Sequence, residues 1–176
     1  MGTIFIAGAY GVGKSTLAKE LSSLISLPNY SASSLIGQVN GEEYSKIKTV
    51  LNKYSNQDIL EVRVNQILQN ASRIILTGHF CIMNEANEVE RLPKDIFKKL
   101  SIECILLLEA APTIIADNLF KRDGVLYSLE FIESLLREER RFAEETSVFL
   151  SCPLVIHQMN YQCNNVQQIF HLLDFG

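Results

Sequence analysis

The sequence lacks the cysteine spacing of a zinc-binding protein. Its four cysteines are Cys81, Cys104, Cys152 and Cys163, and none of them belongs to a CxxC motif or a Cys/His pair. Cys104 and Cys152 lie in or beside apolar runs, where a buried and unreactive thiol is the usual finding. We therefore expect a reduced protein without a cysteine-bound metal.

Long apolar runs and basic clusters are also missing. No apolar run approaches the roughly 18–20 residues that a membrane-spanning helix needs. The first residues carry neither a basic leader nor a signal-peptide pattern. The net charge is −4 and the pI is near 5.4, whereas nucleic-acid binding needs clustered Lys and Arg. We expect a soluble, cytoplasmic protein with no membrane partner, and nucleic acid is disfavoured as its main ligand.

The length and composition indicate one globular domain. The chain has 176 residues, of which 47% are hydrophobic and 20% are charged. These values are close to those of ordinary folded domains, so a buried core is expected. We interpret residues 1–176 as a single domain.

Apolar runs alternate with amphipathic segments along the chain. The run Thr3–Ala7 predicts a central strand that is buried on both faces. A stripe of leucines and isoleucine predicts a helix from Lys14 to about Ile25. Such alternation favours a parallel sheet with helices on both faces and right-handed crossovers. Further strands are expected at 29–31, 73–77, 102–108 and 154–157.

The segments between the strands are more polar. Residues 31–53 are interrupted by two glycines and predict two short helices. The tetrapeptide Ser-Asn-Gln-Asp at 55–58 resembles a capping box, and it predicts a helix that runs to about Asn70. Residues 84–90 are rich in Asn and Glu and are expected to form a loop.

The segment after the first strand carries a phosphate-binding motif. It reads Gly8-Ala9-Tyr10-Gly11-Val12-Gly13-Lys14-Ser15 and matches the Walker A pattern G-x-x-x-x-G-K-[ST] at every fixed position. Glycines let the backbone turn tightly, so that consecutive N–H groups point at phosphate oxygens. The N-terminus of the following helix adds positive partial charge. The motif predicts a P-loop that binds a magnesium-chelated nucleoside triphosphate.

Individual residues of the P-loop have separate expected roles. Lys14 should place its charge on the β- and γ-phosphates, and the hydroxyl of Ser15 should bind magnesium. The guanine signature N-K-x-D is absent from the sequence, which favours ATP over GTP. The predicted nucleotide-binding residues are Gly8, Ala9, Tyr10, Gly11, Val12, Gly13, Lys14, Ser15 and Thr16.

The P-loop region resembles that of a known superfamily. Residues 8–20, Gly-Ala-Tyr-Gly-Val-Gly-Lys-Ser-Thr-Leu-Ala-Lys-Glu, are similar to the opening of archaeal-type adenylate kinases and related small AAA-type ATP-binding proteins. These proteins belong to the P-loop nucleoside monophosphate kinase superfamily. The likeness continues in order through residues 76–79, 92–100, 106–109 and 122–123. It implies a P-loop NTPase fold of three α/β/α layers with a five-stranded parallel sheet of order 2-3-1-4-5.

The same resemblance implies phosphoryl transfer from ATP to a small acceptor. The acceptor would lie over residues 31–53, and residues 121–127 would form a short lid. Such enzymes position donor and acceptor and offset the charge on the moving phosphoryl group. The sequence departs from the family in two respects. Thr77 stands where the family usually has an Asp, and the lid is shorter than the usual arginine-rich one.

Two residues outside the P-loop join Lys14 as candidates for catalysis. His79 follows the strand at 73–77, at the edge where open α/β sheets bind ligands. It would contact the acceptor or the attacking group; the alternative is a structural histidine beneath the loop at 84–90. Arg122 would contact phosphate, and its alternative is a surface ion pair with Asp123 or Glu130.

Other residues have open interpretations. A long helix is predicted from Ser128 to about Leu150, and its Arg-Glu-Glu-Arg-Arg run at 137–141 indicates a solvated face with i,i+4 ion pairs. Arg137 could instead reach the triphosphate. Tyr10 either faces the acceptor or packs, and Glu109 either orders water near magnesium or has a capping role.

The sequence leaves two main hypotheses of function. The first is a magnesium-dependent, ATP-dependent kinase for a nucleotide or a similar small acceptor. The second is an ATP-binding regulatory or assembly subunit that hydrolyses ATP slowly or not at all. Thr77 and the short lid favour the second, whereas the ordered similarity and the polar acceptor-side segment favour the first. A polynucleotide 5′-kinase is a third interpretation, which the acidic balance disfavours.

Overall fold

The computed structural model describes residues 2–40, 53–84, 88–161 and 164–173. Strands and helices alternate over most of this length, as the apolar runs predict. The elements in chain order are β1 (Gly2–Gly8), α1 (Lys14–Ile25), β2 (Asn29–Ser31), α2 (Ala32–Asn40), α3 (Lys53–Leu68), β3 (Arg73–Thr77), β4 (Cys81–Met83), β5 (Val89–Arg91), α4 (Lys94–Lys99), β6 (Ile102–Glu109), α5 (Pro112–Asp123), α6 (Leu129–Leu150), β7 (Leu154–Gln158) and α7 (Asn165–Leu172).

Five parallel strands form the sheet, in the order β2-β3-β1-β6-β7. When only the strands of this sheet are numbered along the chain, that order is 2-3-1-4-5, so the predicted topology is confirmed. Every residue of β1 is buried, which requires cover on both faces of the sheet because side chains alternate along a strand. The helices α1 and α7 pack together, and α6 packs with α4 and α5. The result is the expected three-layer α/β/α arrangement.

The parallel register aligns the ends of the central strands. Ile6 of β1 is opposite Thr77 of β3 and also opposite Leu106 of β6. Gly8 lies opposite Leu108 at the carboxyl end of the sheet. The chain segments that leave β1 and β3 therefore begin side by side, which places the P-loop next to the residues that follow Thr77.

An aromatic cluster anchors the chain just beyond β3. Phe80 contacts Phe5 with ring centroids 5.3 Å apart, and it contacts Phe97 at 4.8 Å. Phe142 of α6 closes the cluster, 6.1 Å from Phe97. Gly78 must be glycine here, because an added Cβ would lie 2.7 Å from the ring of Phe5. Residues 78–80, which follow the end of β3, are therefore fixed to the core.

The connections differ from the sequence expectations in two places. The helix α3 begins at Lys53, so the capping-box pattern at 55–58 lies inside a helix and does not start it. Of residues 84–90, which are expected to form a loop, Val89 and Glu90 lie in β5, which forms an antiparallel hairpin with β4 and places Arg91 opposite Cys81. Residues 84 and 88 lie between the two strands, and residues 85–87 lie outside the described ranges. The three-residue strands are too short to show a period in the sequence. Of the two short helices predicted within 31–53, α2 is present and the other lies outside the described residues.

Within the described ranges, none of the helices is both long and apolar enough to cross a membrane.

The aromatic cluster predicts a large loss of stability when it is opened. Phe97 is 2% exposed, and replacing a buried Phe with Ala leaves a cavity in addition to removing apolar contacts. Phe97→Ala should therefore lower the free energy of unfolding by about 3–5 kcal/mol, as measured by urea titration with circular dichroism. Leu126→Ala is the matched control, because Leu126 is 82% exposed and its truncation should change stability by less than about 0.5 kcal/mol. Equal stabilities of the two variants would contradict this view of the core.

Candidate functional site

The Walker A segment forms the expected turn between β1 and α1. Gly13 caps the start of α1 with a left-handed backbone, φ 99°, which glycine adopts without strain. Gly8 cannot carry a side chain, because a Cβ would lie 2.4 Å from the carbonyl oxygen of Leu108. The first amides of a helix have no intrahelical acceptors, and they attract anions. The segment therefore has the backbone geometry of a phosphate-binding loop.

Two residues that the sequence did not indicate hold this loop from outside. Asn118 of α5 donates from Nδ2 to the carbonyl oxygen of Gly11 at 2.9 Å. The hydroxyl of Tyr161, beyond β7, donates to the carbonyl oxygen of Val12 at 3.1 Å. Carbonyl oxygens that are bonded in this way are turned away from an anion. The two contacts thus favour a loop whose amides, and not its carbonyls, face the phosphates.

Lys14 lies folded against the loop that precedes it. Its Nζ donates to the carbonyl oxygens of Gly8 at 2.8 Å and Ala9 at 2.9 Å, and it lies 3.5 Å from Nδ1 of His79. Burial lowers the pKa of Lys14 to about 7, and the charge of Arg122 contributes to the lowering while Glu139 opposes it. The predicted catalytic residues Lys14 and His79 are therefore brought into direct proximity.

His79 is held between an aromatic ring and a buried carboxylate. The ring of Tyr10 packs on it with centroids 4.1 Å apart and planes 32° apart, which agrees with the packed alternative for this tyrosine. Nδ1 of His79 lies 3.6 Å from Oε1 of Glu139. Burial, followed by the charge of Lys14, lowers the pKa of His79, although Glu139 and the Gly8 carbonyl act in the opposite direction. The imidazole is therefore neutral at neutral pH.

Glu139 lies in the run 137–141, whose charges indicate a solvated face, yet the structure buries it. Its side chain is 1% exposed. The carboxylate accepts hydrogen bonds from the backbone N–H of Phe80 at 3.2 Å and of Cys81 at 3.1 Å. A signal was present, because Glu139 lies on the same helical stripe as Ile132, Leu135 and Phe142, which are all buried. A charged residue on an apolar stripe indicates a buried and bonded group.

Arg122 lies at the end of α5 and pairs with its neighbour. Its Nε is 2.7 Å and its Nη2 is 2.5 Å from the carboxylate of Asp123, and 56% of its side chain is exposed. This is the ion-pair alternative that the sequence analysis left open, and a phosphate contact remains a prediction. Residues 124–128 connect α5 to α6, so the segment expected to act as a lid is short in the structure.

The remaining candidates are found away from the contact between Lys14 and His79. The hydroxyl of Thr77 is buried and lies 3.4 Å from the carbonyl oxygen of Tyr30, which links β3 to β2. Arg140 of α6 pairs with Glu109 at 3.0 Å, so Glu109 faces a cation. Arg137 is exposed on α6. The contacts described for Thr77 and Glu109 are therefore structural, and neither of them involves Lys14.

Ser15 and Thr16 are exposed in the first turn of α1. A hydroxyl oxygen suits magnesium, which prefers hard oxygen ligands and keeps several waters together with substrate phosphates. No group of three or more His, Cys, Asp or Glu residues in the described part of the chain could hold a metal by itself. The donors present therefore fit a metal that would arrive with a phosphate ligand and be held by Ser15.

The burial of Lys14 predicts a pH-dependent stability. Because its folded-state pKa of about 7 lies below the ordinary value of 10.5, the folded chain releases this proton first as the pH rises. The free energy of unfolding should therefore increase between about pH 7 and pH 10 through this group. Lys14→Met should be more stable than wild type below about pH 7, and the difference should shrink as the pH rises to about 9. Urea titrations at several pH values measure both trends.

Lys19→Met is the control for that experiment, since Lys19 is exposed on the same helix. It should retain the pH dependence of the wild type. A constant difference between wild type and Lys14→Met at all pH values would show that Lys14 stays charged in the folded protein.

Comparisons with known proteins agree with this geometry. Several shikimate kinase structures share the fold at low sequence identity. That from Bacteroides thetaiotaomicron has 15% identity and a TM-score of 0.63, with 99% of each chain covered. That from Acinetobacter baumannii, in complex with shikimate, has 16% identity and a TM-score of 0.60, with 98% of this chain and 93% of that chain covered. That from Aquifex aeolicus has 16% identity and a TM-score of 0.58, with 98% and 96% covered.

No curated protein matches the chain in sequence. The finer likeness to archaeal-type adenylate kinases stays a prediction. A family model described as an AAA domain, AAA_17, matches residues 7–135, which is almost three quarters of the chain. This range includes the P-loop, His79 and Arg122. The chain therefore belongs to the AAA_17 family of AAA domains, and it has the P-loop fold that it shares with shikimate kinases.

Proposed function

We propose that the protein is a magnesium-dependent phosphotransferase that moves the γ-phosphoryl group of ATP to a small acceptor. The observation that carries this proposal is the contact between Lys14 of the P-loop and His79, 3.5 Å apart at the carboxyl end of the sheet. A histidine beside the residue that would bind the γ-phosphate lies where an acceptor must approach. A site for ATP binding alone does not require such a residue.

Different groups of the loop would bind different parts of the ATP. The amides of residues 8–15 would hold the phosphates, and Lys14 would leave the carbonyl oxygens of Gly8 and Ala9 to pair with the β- and γ-phosphates. Ser15 would hold magnesium, which supplies charge neutralisation when it is bound. Asn118 and Tyr161 would keep the loop in shape during this exchange, because their bonds are to carbonyls on its outer side.

The acceptor would lie on the side of β2 and β3. Thr77 ends β3 there and His79 follows two residues later, and Tyr30 lies on the adjacent strand. Shikimate kinases of the same fold include one in complex with shikimate, which supports a small organic acceptor for this site. Phosphoryl transfer of this kind needs alignment and charge stabilisation more than covalent chemistry.

A second function, nucleotide binding in a regulatory or assembly role, has its own supporting observations. Thr77 replaces the carboxylate that the family usually presents, and its hydroxyl faces the backbone of Tyr30. Arg122 pairs with Asp123 and is exposed. Under this alternative, ATP would be held and hydrolysed slowly, with no acceptor.

The proposal predicts that Lys14 dominates turnover. Lys14→Ala should lower kcat by at least about 100-fold with a smaller effect on ATP binding, since its charge matters most in the transition state while the amide cradle survives. Lys19→Ala is the matched control, because Lys19 is exposed on the same helix and its loss should leave turnover unchanged. A coupled assay of ADP release gives both rates. Wild-type turnover by Lys14→Ala would refute the site.

The acceptor is found by measuring ATP consumption with a panel of nucleotides and hydroxylated metabolites, against an ATP-only reaction. We expect one class of acceptor to stimulate turnover, and His79→Ala to remove most of this stimulation. ATP affinity should stay within about threefold of wild type in His79→Ala, because the amides and Lys14 carry phosphate binding. An ATP-only rate that no acceptor changes would favour the regulatory alternative.

A further inference from the structure

One ring nitrogen of His79 lies between two groups that make opposite demands on it. Nδ1 is 3.5 Å from Nζ of Lys14 and 3.6 Å from Oε1 of Glu139. An ammonium group can only donate a hydrogen bond, and a carboxylate can only accept one. Nδ1 must therefore carry a lone pair to bond Lys14, and it must carry a proton to bond Glu139. It can satisfy only one of them at a time.

Both separations exceed those of well-formed hydrogen bonds, which are about 2.7–3.2 Å for nitrogen and oxygen. Nδ1 therefore makes no strong hydrogen bond to either neighbour. Tyr10 packs on the face of the imidazole at 4.1 Å, which restricts flipping of the ring. A change of partner is therefore achieved most readily by moving the proton between the two ring nitrogens.

Glu139 is the fixed member of this group. Its carboxylate is 1% exposed and is bonded to the amides of Phe80 and Cys81. The backbone that bonds Glu139 is itself anchored, because the ring of Phe80 packs on Phe142 of α6 in the aromatic cluster. Lys14, in contrast, has a long and flexible side chain that must move if it is to reach a phosphate. The tautomer of His79 should therefore depend on the position of Lys14.

We propose that Glu139 is a positioning residue that selects the tautomer of His79 once Lys14 has moved to the triphosphate. The role of this switch in catalysis rests on the proposed function. While Lys14 lies against Gly8 and Ala9, Nδ1 accepts from it and the proton of the neutral ring is on Nε2. When the ammonium group leaves, the proton is on Nδ1 and is donated to Glu139, and Nε2 becomes the acceptor nitrogen.

The switch has a defined consequence for the reaction. With Nε2 unprotonated, His79 takes the proton of an acceptor hydroxyl as the acceptor oxygen bonds to the γ-phosphorus. The bond between that phosphorus and the bridging oxygen of the β-phosphate breaks, and its electron pair stays with the nucleoside diphosphate. The imidazolium that results is paired with Glu139. The acceptor class is accordingly an alcohol, because a phosphate acceptor is already ionised at neutral pH and needs no base.

The tautomer can be observed directly by NMR with histidine labelled with nitrogen-15, at about pH 6.5. At this pH Lys14, with its pKa of about 7, is mostly an ammonium group, and the lowered pKa of His79 keeps the imidazole mostly neutral. His157 and His171 serve as internal references, and loss of signals in His79→Gln assigns His79. In the nucleotide-free wild type we expect the proton on Nε2. In nucleotide-free Lys14→Met the competing donor is gone, so we expect the proton on Nδ1. A proton that stays on Nε2 in Lys14→Met overturns the proposal.

Glu139→Gln supplies the second arm. Its amide oxygen still accepts from the Phe80 and Cys81 amides, which face the same oxygen as Nδ1. An uncharged amide oxygen is a much weaker acceptor for Nδ1–H than a carboxylate, so the proton should stay on Nε2 even in the Lys14→Met background. Glu138→Gln is the control, with the same change of charge one residue away, and should leave the tautomer of Lys14→Met on Nδ1. A switch that persists in Lys14→Met/Glu139→Gln overturns the role of Glu139. The Lys14→Met arm stands even if Glu139→Gln does not fold.

The third arm adds magnesium and the β,γ-imido analogue of ATP to the wild type. The proton should move to Nδ1 in the wild type and stay on Nε2 in Glu139→Gln. An absence of change in the wild type, combined with the expected result for Lys14→Met, would overturn the proposed triphosphate site and not the assignment of Glu139. The two proposals can therefore fail separately.

Discussion

The geometry of the site depends on the burial of β1. Because all of its residues are buried, β1 must have a strand on each side and helices on both faces. Its parallel neighbours β3 and β6 end within two residues of its own end, β3 opposite Ile6 and β6 one residue beyond Gly8. The P-loop and His79 therefore leave the sheet side by side, although 65 positions separate Lys14 from His79 in the chain. The contact between these two residues is a result of parallel pairing.

Charge balance is the second constraint on the site. Lys14 and Glu139 are of opposite sign, and an imidazole lies between them. Removal of a charge from water costs several kcal/mol unless the charge is bonded, and each group finds a different solution. Glu139 accepts from backbone amides, and Lys14 donates to backbone carbonyls. The bonds of Lys14 do not fully compensate for its loss of hydration, and this lowers its pKa to about 7.

The sequence predicted the parts of the structure that have a local cause. The turn at residues 8–13, the strand Thr3–Ala7 and the long helix predicted from Ser128 each follow from residues that are close together in the chain. In the structure Ser128 caps this helix by accepting from the amide of Phe131 at 3.2 Å. The sheet order followed from the resemblance and was confirmed. The position of His79 beside the P-loop followed from the general behaviour of parallel sheets.

The parts that were missed depend on distant partners. Asn118 bonds to a residue 107 positions away, and Tyr161 to one 149 positions away, so no local pattern marks either of them. The hairpin of β4 and β5 is held by Arg91, which contacts Glu138 at 2.8 Å and Glu145 at 3.3 Å on α6. Glu139 was concealed by charged neighbours, although the apolar stripe of α6 included it.

The helix α6 has a mechanical consequence because three of these features attach to it. Its first turn follows directly on residues 124–128, Glu139 lies about 15 Å further along its axis, and Glu145 lies another turn and a half beyond. A continuous helix of 22 residues is stiff over this distance. The carboxylate beneath His79 and the anchor of the hairpin therefore keep a fixed spacing on one rigid element, and neither can shift along the helix axis without the other.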